Sequence, residues 1–306
     1  MKAYYSKNGI TIYNCDNLKL LQQLPSCSVN LIYCDILYNT GKQFDDYNDN
    51  LGSPEEAMEW YRPRMIEMRR ILMDNGSIFI HCNWRLDSYI RILMDQIFGG
   101  DHFRQRIYRK HSDNNRGFYN NFDSQMDIIL YYVKDKRNFV FHEILSQREQ
   151  TFPLFENGYI EGRSDARLYT DIDNGIDIEI DLGKQNKHWL VSMAQYLQLI
   201  ANGEVVIING LPYRFTKAIP LGNLWDTPDM LDQYDRTATA IAYDTPKPEA
   251  ILERIITMCS NKGDVVADFF LGGGSTAVVA KRLKRNGIFC DISQKACDVT
   301  ISKLTL

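Results

Sequence analysis

Apolar and polar positions in the first part of the chain alternate between the periods of strands and of amphipathic helices. GITIYNC (9–15) and VNLIYC (29–34) have strand-like apolar runs, and NLKLLQQL between them repeats leucine at helical spacing. A capping-box pattern at Ser53 and Glu56 predicts the start of a helix that is interrupted near Pro63 and ends at Gly76. The order strand, helix, strand predicts a βαβ beginning.

The same alternation continues and then returns near the end of the chain. SIFIHC and MDIILYYVK predict strands around the helical RLDSYIRILMDQIFGG, and the last part reads helix, strand, helix, strand. We therefore predict an α/β fold with a doubly wound, Rossmann-like sheet. The pattern predicts three segments, namely 1–134, an insert at 135–222, and 223–306.

The predicted insert has a different pattern. RLYTDIDNGIDIEIDLG alternates apolar and acidic residues around Asn174-Gly175, which predicts a β-hairpin with a primed turn. HWLVSMAQYLQLIANGEVVIINGLPYRF then predicts a short helix followed by strands.

Composition narrows the class of protein. The chain has 306 residues, 44% of them hydrophobic and 24% charged, and a net charge of −4. No apolar run has the length of a membrane span, and the N-terminus lacks a signal-peptide core, so we expect a cytoplasmic protein without a membrane partner. The seven cysteines are scattered without CxxC pairs, so neither a disulfide framework nor a metal site is indicated.

Basic residues concentrate in one segment despite the negative net charge. Phe103–Asn121 has aromatic residues interleaved with cations and contains a single acidic residue, Asp113. This composition fits a surface that contacts phosphates and bases, although the segment taken alone is better explained as a solvated basic loop. The predicted DNA-binding residues are Arg104, Arg106, Arg109, Lys110, His111 and Arg116.

A glycine-rich turn stands between a strand and a helix in VVADFFLGGGSTAVVAKRL (265–283). Glycines allow a ligand to approach the backbone there, and the helix N-terminus favours electron-rich groups, although the spacing fits neither GxGxxG nor a Walker loop. The next strand ends at Asp291, where a carboxylate can accept the ribose hydroxyls of a nucleoside cofactor. In the alternative interpretation the glycines only make a tight turn and Asp291 caps the helix at Ser293.

A second carboxylate ends a predicted strand in NLIYCDILYNTGKQF (30–44). Asp35 at the carboxyl end of a parallel strand would point into the ligand crevice of the sheet, and Tyr38 offers a face for base stacking. Taken alone, an aspartate that ends a strand is usually a helix or turn cap, and Tyr38 could simply be a core residue.

Several ordered motifs together resemble one family. DILYNTG is similar to the DPPYNTG segment of DNA amino-methyltransferases, and ADFFLGGGST is similar to their DPFxGSGTT loop for S-adenosylmethionine. CDNLKLLQQLPSCSVNLIYCD and YDTPKPEAILERII match further motifs. Because the catalytic segment precedes the cofactor loop, the chain resembles the beta group, which includes modification subunits of type III restriction systems.

The resemblance implies roles residue by residue. Asp35 and Tyr38 match the catalytic pair, and the Ile36 carbonyl would accept a second hydrogen bond from the target amino group after the base has flipped out of the duplex. The positions that it assigns to S-adenosylmethionine are Asp16, Asp268, Phe270, Gly272, Gly274, Ser275, Asp291, Thr245, Lys247 and Pro248.

The family pattern also implies a substrate and partners. Its Asp-initiated segment goes mainly with N6 of adenine in double-stranded DNA, and a homodimer and a restriction subunit are the implied protein partners. The chain departs from the pattern at Ile36 and Leu37, where the family has prolines, and at Phe269, Gly273 and Pro246. A diverged non-catalytic subunit, an N4-cytosine enzyme and an RNA substrate therefore stay open as alternatives.

Overall fold

The computed structural model describes residues 1–43, 48–110, 125–146, 150–158, 160–161, 165–171, 176–216, 219–227 and 247–305. The chain divides into two compact units, one made of Met1–His142 with Gly222–Leu306 and the other of Glu143–Leu221. The second unit falls within the segment 135–222 that the sequence pattern sets apart.

The first unit contains a large sheet and six helices in its described residues. Its strands are β1 Tyr5–Lys7, β2 Ile10–Asn14, β3 Val29–Asp35, β4 Leu72–Cys82, β5 Phe103–Lys110, β6 Met126–Val133, β16 Leu224–Trp225, β17 Val265–Asp268 and β18 Asn286–Asp291. Its helices are α1 Asn17–Leu21, α2 Pro54–Ile71, α3 Asp87–Phe98, α5 Glu249–Cys259, α6 Ser275–Arg282 and α7 Gln294–Thr305.

Nine described strands form one mixed sheet in the order β1-β2-β18-β17-β3-β4-β6-β5-β16. β1 and β6 pair antiparallel with their neighbours, and the other adjacent pairs are parallel, so seven strands run in one direction. Their carboxyl ends therefore meet at one edge, where ligands bind in open α/β sheets. This arrangement confirms the predicted α/β class.

The period-two alternation of the strands produces two different faces. On one face, Ile32 and Cys34 of β3 and the matching positions of β4 and β6 pack in a core with α1, α2 and α3. On the other face, α5 packs against β6, where the Cys259 thiol contacts the Tyr131 hydroxyl. This second face also carries buried polar residues near the carboxyl edge of the sheet.

Three local predictions differ from the structure. Helix α2 begins with the predicted capping box at Ser53, but it runs through Pro63 without interruption and ends at Ile71. It ends early because Leu72 adopts an extended conformation and pairs with Val29 of β3. The first half of the predicted basic loop is strand β5, since pairing with β6 satisfies its backbone.

The second unit has its own small core. Its described strands are β7 Leu145–Ser146, β8 Gln150–Pro153, β9 Phe155–Asn157, β10 Ala166–Asp171, β11 Ile176–Asp181, β12 Lys187–Trp189, β13 Val205–Ile208, β14 Leu211–Thr216 and β15 Ile219–Pro220, with helix α4 at Met193–Ala201. Trp189 and Tyr196 are fully buried in its centre. β10 and β11 pair antiparallel as predicted, while the turn at Asn174-Gly175 lies outside the described residues.

No helix in the described part of the chain combines the length and the apolar character needed to span a bilayer.

Candidate functional site

A cavity of about 620 Å³ opens at the carboxyl edge of the large sheet. Its wall is built from residues at or just beyond the ends of four parallel strands, namely Asp16 after β2, Asp35 on β3, Asp268 on β17 and Asp291 on β18. Sequence positions separated by more than 200 residues meet here because parallel strands end at the same edge.

The predicted catalytic residues lie together in this cavity. The Tyr38 hydroxyl donates a 2.9 Å hydrogen bond to Asp35 Oδ1, and Ile36 contributes its backbone to the wall. Burial raises the pKa of the Tyr38 hydroxyl well above its usual value, and the negative charge of Asp35 adds to this effect. Tyr38 therefore acts as a neutral hydrogen-bond donor toward Asp35.

The segment after Asp35 is held rigidly without the two family prolines. The Ile36 amide donates to the His81 carbonyl at 3.1 Å, a bond that proline could not make, and the Tyr61 hydroxyl donates to the Leu37 carbonyl at 2.8 Å. The Asn83 side chain donates to the Tyr38 carbonyl at 3.3 Å. Hydrogen bonds thus replace the rigidity that the prolines supply in the family.

The loop that follows Tyr38 is organised by Asp49. This carboxylate is only 4% exposed, and it accepts hydrogen bonds from the amides of Asn39 and Thr40 and from the Thr40 hydroxyl. Asn39 has a φ of 51° in the left-handed region, which asparagine tolerates better than most residues. The cavity wall beyond Tyr38 is therefore an ordered turn.

The glycine loop is tied down by two aspartates. Asp268 accepts hydrogen bonds from the Phe270 amide at 2.9 Å and the Thr276 hydroxyl at 2.6 Å, and burial raises its pKa to about 7. Asp291 accepts from the Gly272 amide at 2.8 Å and from the Ser293 amide at 2.9 Å. Asp291 thus makes the capping contact with Ser293 that the alternative interpretation of the sequence expects, and it also lines the cavity.

Gly274 needs to be glycine for two separate reasons. Its φ is 78°, and a Cβ there would lie 2.1 Å from Thr300 Oγ1 of helix α7. Ser275 begins helix α6 directly after it and lines the cavity. The close approach of α7 fixes the position of this turn.

Asp16 is positioned by an arginine that sequence analysis did not single out. Arg64 of helix α2 donates to Asp16 Oδ2 at 3.0 Å and to Asn17 Oδ1 at 2.7 Å, and the Asn17 side chain donates through Nδ2 to the Phe269 carbonyl. The Arg64 guanidinium stacks 3.4 Å from the Trp60 ring centre. Trp60 and Phe270 both line the cavity and supply aromatic surface.

Lys247 reaches the predicted catalytic pair, Asp35 and Tyr38, although the motif match places it with the cofactor segment. Its Nζ donates to the Tyr38 hydroxyl at 2.8 Å and lies 3.5 Å from Asp35 Oδ2. Pro248 precedes helix α5 and does not line the cavity among the described residues, and Thr245 lies outside the described residues.

The structure corrects the prediction for Arg109. Its side chain is 0% exposed and donates to Asp127 Oδ2 at 3.0 Å, because period-two alternation turns it toward the covered face of the sheet. It is therefore not part of a surface that could contact phosphates. Arg106 pairs with Asp87, and Arg104 donates to the Asp101 carbonyl.

The other predicted DNA contacts divide into two groups. Lys110 ends β5 at the same edge as the cavity and is partly exposed. His111 and Arg116 lie outside the described residues.

Two features at the carboxyl half of the large sheet are not predicted from the sequence. Tyr33, His81 and Asp127 are buried polar residues that join Arg109 on the covered face of the sheet. Each of them lies in an otherwise apolar strand segment. A polar residue in such a segment is the sequence signal that could have indicated a buried polar cluster. Trp84 follows β4 at the carboxyl edge and is 53% exposed, with the Arg85 guanidinium 4.7 Å from its ring centre.

Comparison with known proteins identifies the family. A family model described as DNA methylase matches residues 29–303. Type II methyltransferase M.EcaI from Enterobacter cloacae is 27% identical, with 90% of this chain and 64% of the relative covered. The StyLTI type III Mod subunit from Salmonella typhimurium is 26% identical, covering 95% and 53%, and DNA adenine methyltransferase YhdJ from Escherichia coli is 26% identical, covering 98% and 84%. The chain thus spans between about half and two thirds of the length of the first two relatives.

Solved structures share the fold. The PvuII cytosine-N4-specific DNA methyltransferase superposes with a TM-score of 0.59 at 13% identity, covering 99% of this chain and 88% of the other. The M1.HpyAVI complex with SAM gives 0.53 at 18% identity, covering 96% and 98%. The family model matches most of the chain, and it confirms the resemblance that the ordered motifs indicate. The protein belongs to the DNA methylase family.

Proposed function

We propose that this protein transfers a methyl group from S-adenosylmethionine to an exocyclic amino group in double-stranded DNA, with N6 of adenine as the preferred target. The observation that carries the proposal is the meeting of Asp35 and Tyr38 with the glycine loop in one cavity. Membership of the DNA methylase family and the likeness to an adenine methyltransferase, YhdJ, support it.

The cavity fits S-adenosylmethionine in size and in chemistry. A volume of about 620 Å³ lies in the usual range for sites of nucleoside cofactors. Its acidic side chains suit a sulfonium cation and ribose hydroxyls, and Trp60 and Phe270 offer faces to an adenine ring. Asp291 would hold the ribose, and Asp16 would lie near the adenine. The turn at Gly272–Gly274 would approach the remaining part of the cofactor.

The residues of the chain then act on the target base. When bound, S-adenosylmethionine supplies an activated methyl group. The Asp35 carboxylate and the Ile36 carbonyl accept hydrogen bonds from the amino group, which orients its lone pair for an in-line attack on the methyl carbon. The carbon–sulfur bond would break as the carbon–nitrogen bond forms, leaving a neutral thioether, and the amino group would lose one proton, which Asp35 is placed to accept. Tyr38 provides a face on which the flipped base stacks, and its hydroxyl holds Asp35 in place.

DNA recognition and assembly complete the proposal. The insert 135–222, which contains the second unit, would choose the sequence, and Arg104, Arg106 and Lys110 would add positive charge along β5 and its carboxyl end. A homodimer would supply more basic surface than this acidic chain has alone, and a restriction subunit is a second partner suggested by the similarity to Mod subunits. Light scattering of the purified chain with and without DNA tests the dimer.

The test of the reaction uses S-adenosylmethionine with a labelled methyl group and unmethylated genomic DNA, digested to nucleosides afterwards. We expect label in N6-methyladenine with the native chain and a loss of about 10²- to 10³-fold with Asp35→Ala. Asp264→Ala, at a partly exposed carboxylate just before β17 and outside the cavity lining, is the matched control and should retain activity. Label in N4-methylcytosine would refute the adenine preference, and no label from a chain that binds the cofactor would refute the reaction.

A further inference from the structure

A buried polar cluster lies directly behind the catalytic pair. We name Tyr33, His81, Arg109 and Asp127 the buried cluster; His81 and Arg109 are 0% exposed, and Asp127 is 8% exposed. His81 Nε2 lies 3.3 Å from Asp127 Oδ2, and Arg109 Nη1 donates to the same oxygen at 3.0 Å. Burying even a paired charge costs desolvation energy that the attraction often does not recover, so we expect this cluster to have a role besides stability.

Strand register explains how the cluster forms. Asp35 pairs with His81 across β3 and β4, and Arg109 pairs with Asp127 across β5 and β6. Because side chains two residues apart share a face, Tyr33 lies on the same face as Asp35. The cluster thus forms a continuous polar path across four strands that ends at the catalytic aspartate.

Lys247 connects this path to the catalytic pair. Its ammonium group donates to the Tyr38 hydroxyl at 2.8 Å and lies 3.5 Å from one oxygen of Asp35 and 3.5 Å from Asp127 Oδ2. An ammonium group has three N–H donors, and these three acceptors surround it. Two carboxylates and two cations, Lys247 and Arg109, balance in charge at this place.

His81 supports the arrangement as a neutral ring. Burial lowers the pKa of His81, and the positive charge of Lys247 lowers it further. With Nε2–H donating to Asp127, its Nδ1 accepts the Tyr33 hydroxyl at 2.7 Å. Burial opposes the ionisation of Asp127, but the hydrogen bond from His81 and the charges of Lys247 and Arg109 outweigh it and hold the pKa of Asp127 well below its usual value. Asp127 therefore remains a fixed anion.

We infer that Lys247 is a positioning residue for Asp35 and Tyr38, and that Asp127, fixed by Arg109 and His81, anchors it. The inference rests on the proposed function for its catalytic consequence. The two neighbouring basic residues at the end of β5 then have different roles, because Arg109 faces inward to the buried cluster whereas Lys110 is partly exposed. The inference also assigns Lys247 to the reacting side of the cavity rather than to cofactor affinity.

The experiment compares Lys247→Met, Lys247→Arg and Asp127→Asn with the native chain. Cofactor affinity is measured by titration calorimetry, and methyl transfer is measured in a single turnover with saturating DNA and S-adenosylmethionine. We expect Lys247→Met to slow transfer about 10- to 100-fold while the cofactor Kd changes less than about threefold, because a displaced catalytic group costs rate rather than binding. Lys247→Arg should recover part of the rate, and Asp127→Asn should slow transfer about 10-fold.

Lys42→Met is the matched control. Lys42 is an exposed residue that also lines the cavity, but among the described residues no hydrogen bond or ion pair joins its ammonium group to Asp35 or Tyr38. Its rate should fall much less than that of Lys247→Met. A Lys247→Met chain that loses cofactor affinity and keeps its rate at saturation would overturn the inference.

A readout without turnover separates this inference from the proposed function. In protein labelled with ¹³C at the tyrosine Cζ position, the Tyr38 signal, assigned with Tyr38→Phe, should shift in Lys247→Met and in the same direction in Asp127→Asn. An unchanged Tyr38 signal in both variants would overturn the positioning role. If the native chain transfers no methyl group, the proposed function fails, and the Tyr38 signal still decides whether Asp127 and Lys247 hold Tyr38.

Discussion

Replacing Gly274 with alanine tests why the glycine loop has its shape. The backbone there has a φ of 78°, which costs an L-residue about 1–2 kcal/mol. The new Cβ would also lie 2.1 Å from Thr300 Oγ1 and 2.7 Å from Thr300 Cβ. Thr300 is fully buried and donates to the Ala296 carbonyl, so it cannot move aside freely, and overpacking of this kind costs about 1–3 kcal/mol.

The assay is thermal unfolding of Gly274→Ala beside a matched control, Gly263→Ala. Gly263 has a φ of 87° but no atom within 4 Å of its would-be Cβ, so this control carries the backbone cost alone. We expect a loss of about 2–5 kcal/mol for Gly274→Ala and about 1–2 kcal/mol for Gly263→Ala, at about 2–4 °C of Tm per kcal/mol. Cofactor affinity should fall only in Gly274→Ala. Equal losses in the two variants would refute the contact with Thr300.

Three further predictions follow from the buried and exposed side chains of the first unit. Arg109→Ala leaves the buried Asp127 with one cation fewer and should lower stability by about 3 kcal/mol in thermal unfolding, whereas Lys110→Ala should change it by about 0.5 kcal/mol or less; similar losses would contradict the inward role of Arg109. Because burial raises the pKa of Asp268 to about 7, the folded chain keeps a proton that the unfolded chain releases above about pH 4, so this group lowers the free energy of unfolding as pH rises from about 4 to 7. Denaturation across that range should show a smaller decline in Asp268→Asn, and an unchanged pH dependence would count against it. Trp84→Ala should weaken DNA binding in fluorescence anisotropy by about 1–3 kcal/mol, since an exposed indole at the carboxyl edge of the large sheet can stack on a base; unchanged affinity would exclude that contact.

Local periodicity predicted most elements of the large sheet because its strands are apolar runs, its helices are amphipathic, and α1 and α2 have side-chain caps that short-range chemistry specifies. The capping box at Ser53 is formed within four residues, so the sequence predicted it correctly. The end of α2 depends on the pairing of Leu72 with Val29, which lies 43 positions away along the chain, and no local pattern reports that contact.

The amino-acid sequence by itself determined the α/β class, the glycine turn and the family, because ordered motifs and hydrophobic periods are properties of neighbouring residues. Only the tertiary structure decided that Arg109 turns inward to Asp127 and that Lys247 reaches Tyr38. The physical reason is strand register: whether a cation meets solvent or a buried carboxylate depends on which face its strand covers and which residue stands opposite. Residues that segment composition or a motif match assigns to DNA or cofactor can therefore lie beside Asp35, the predicted catalytic aspartate, instead.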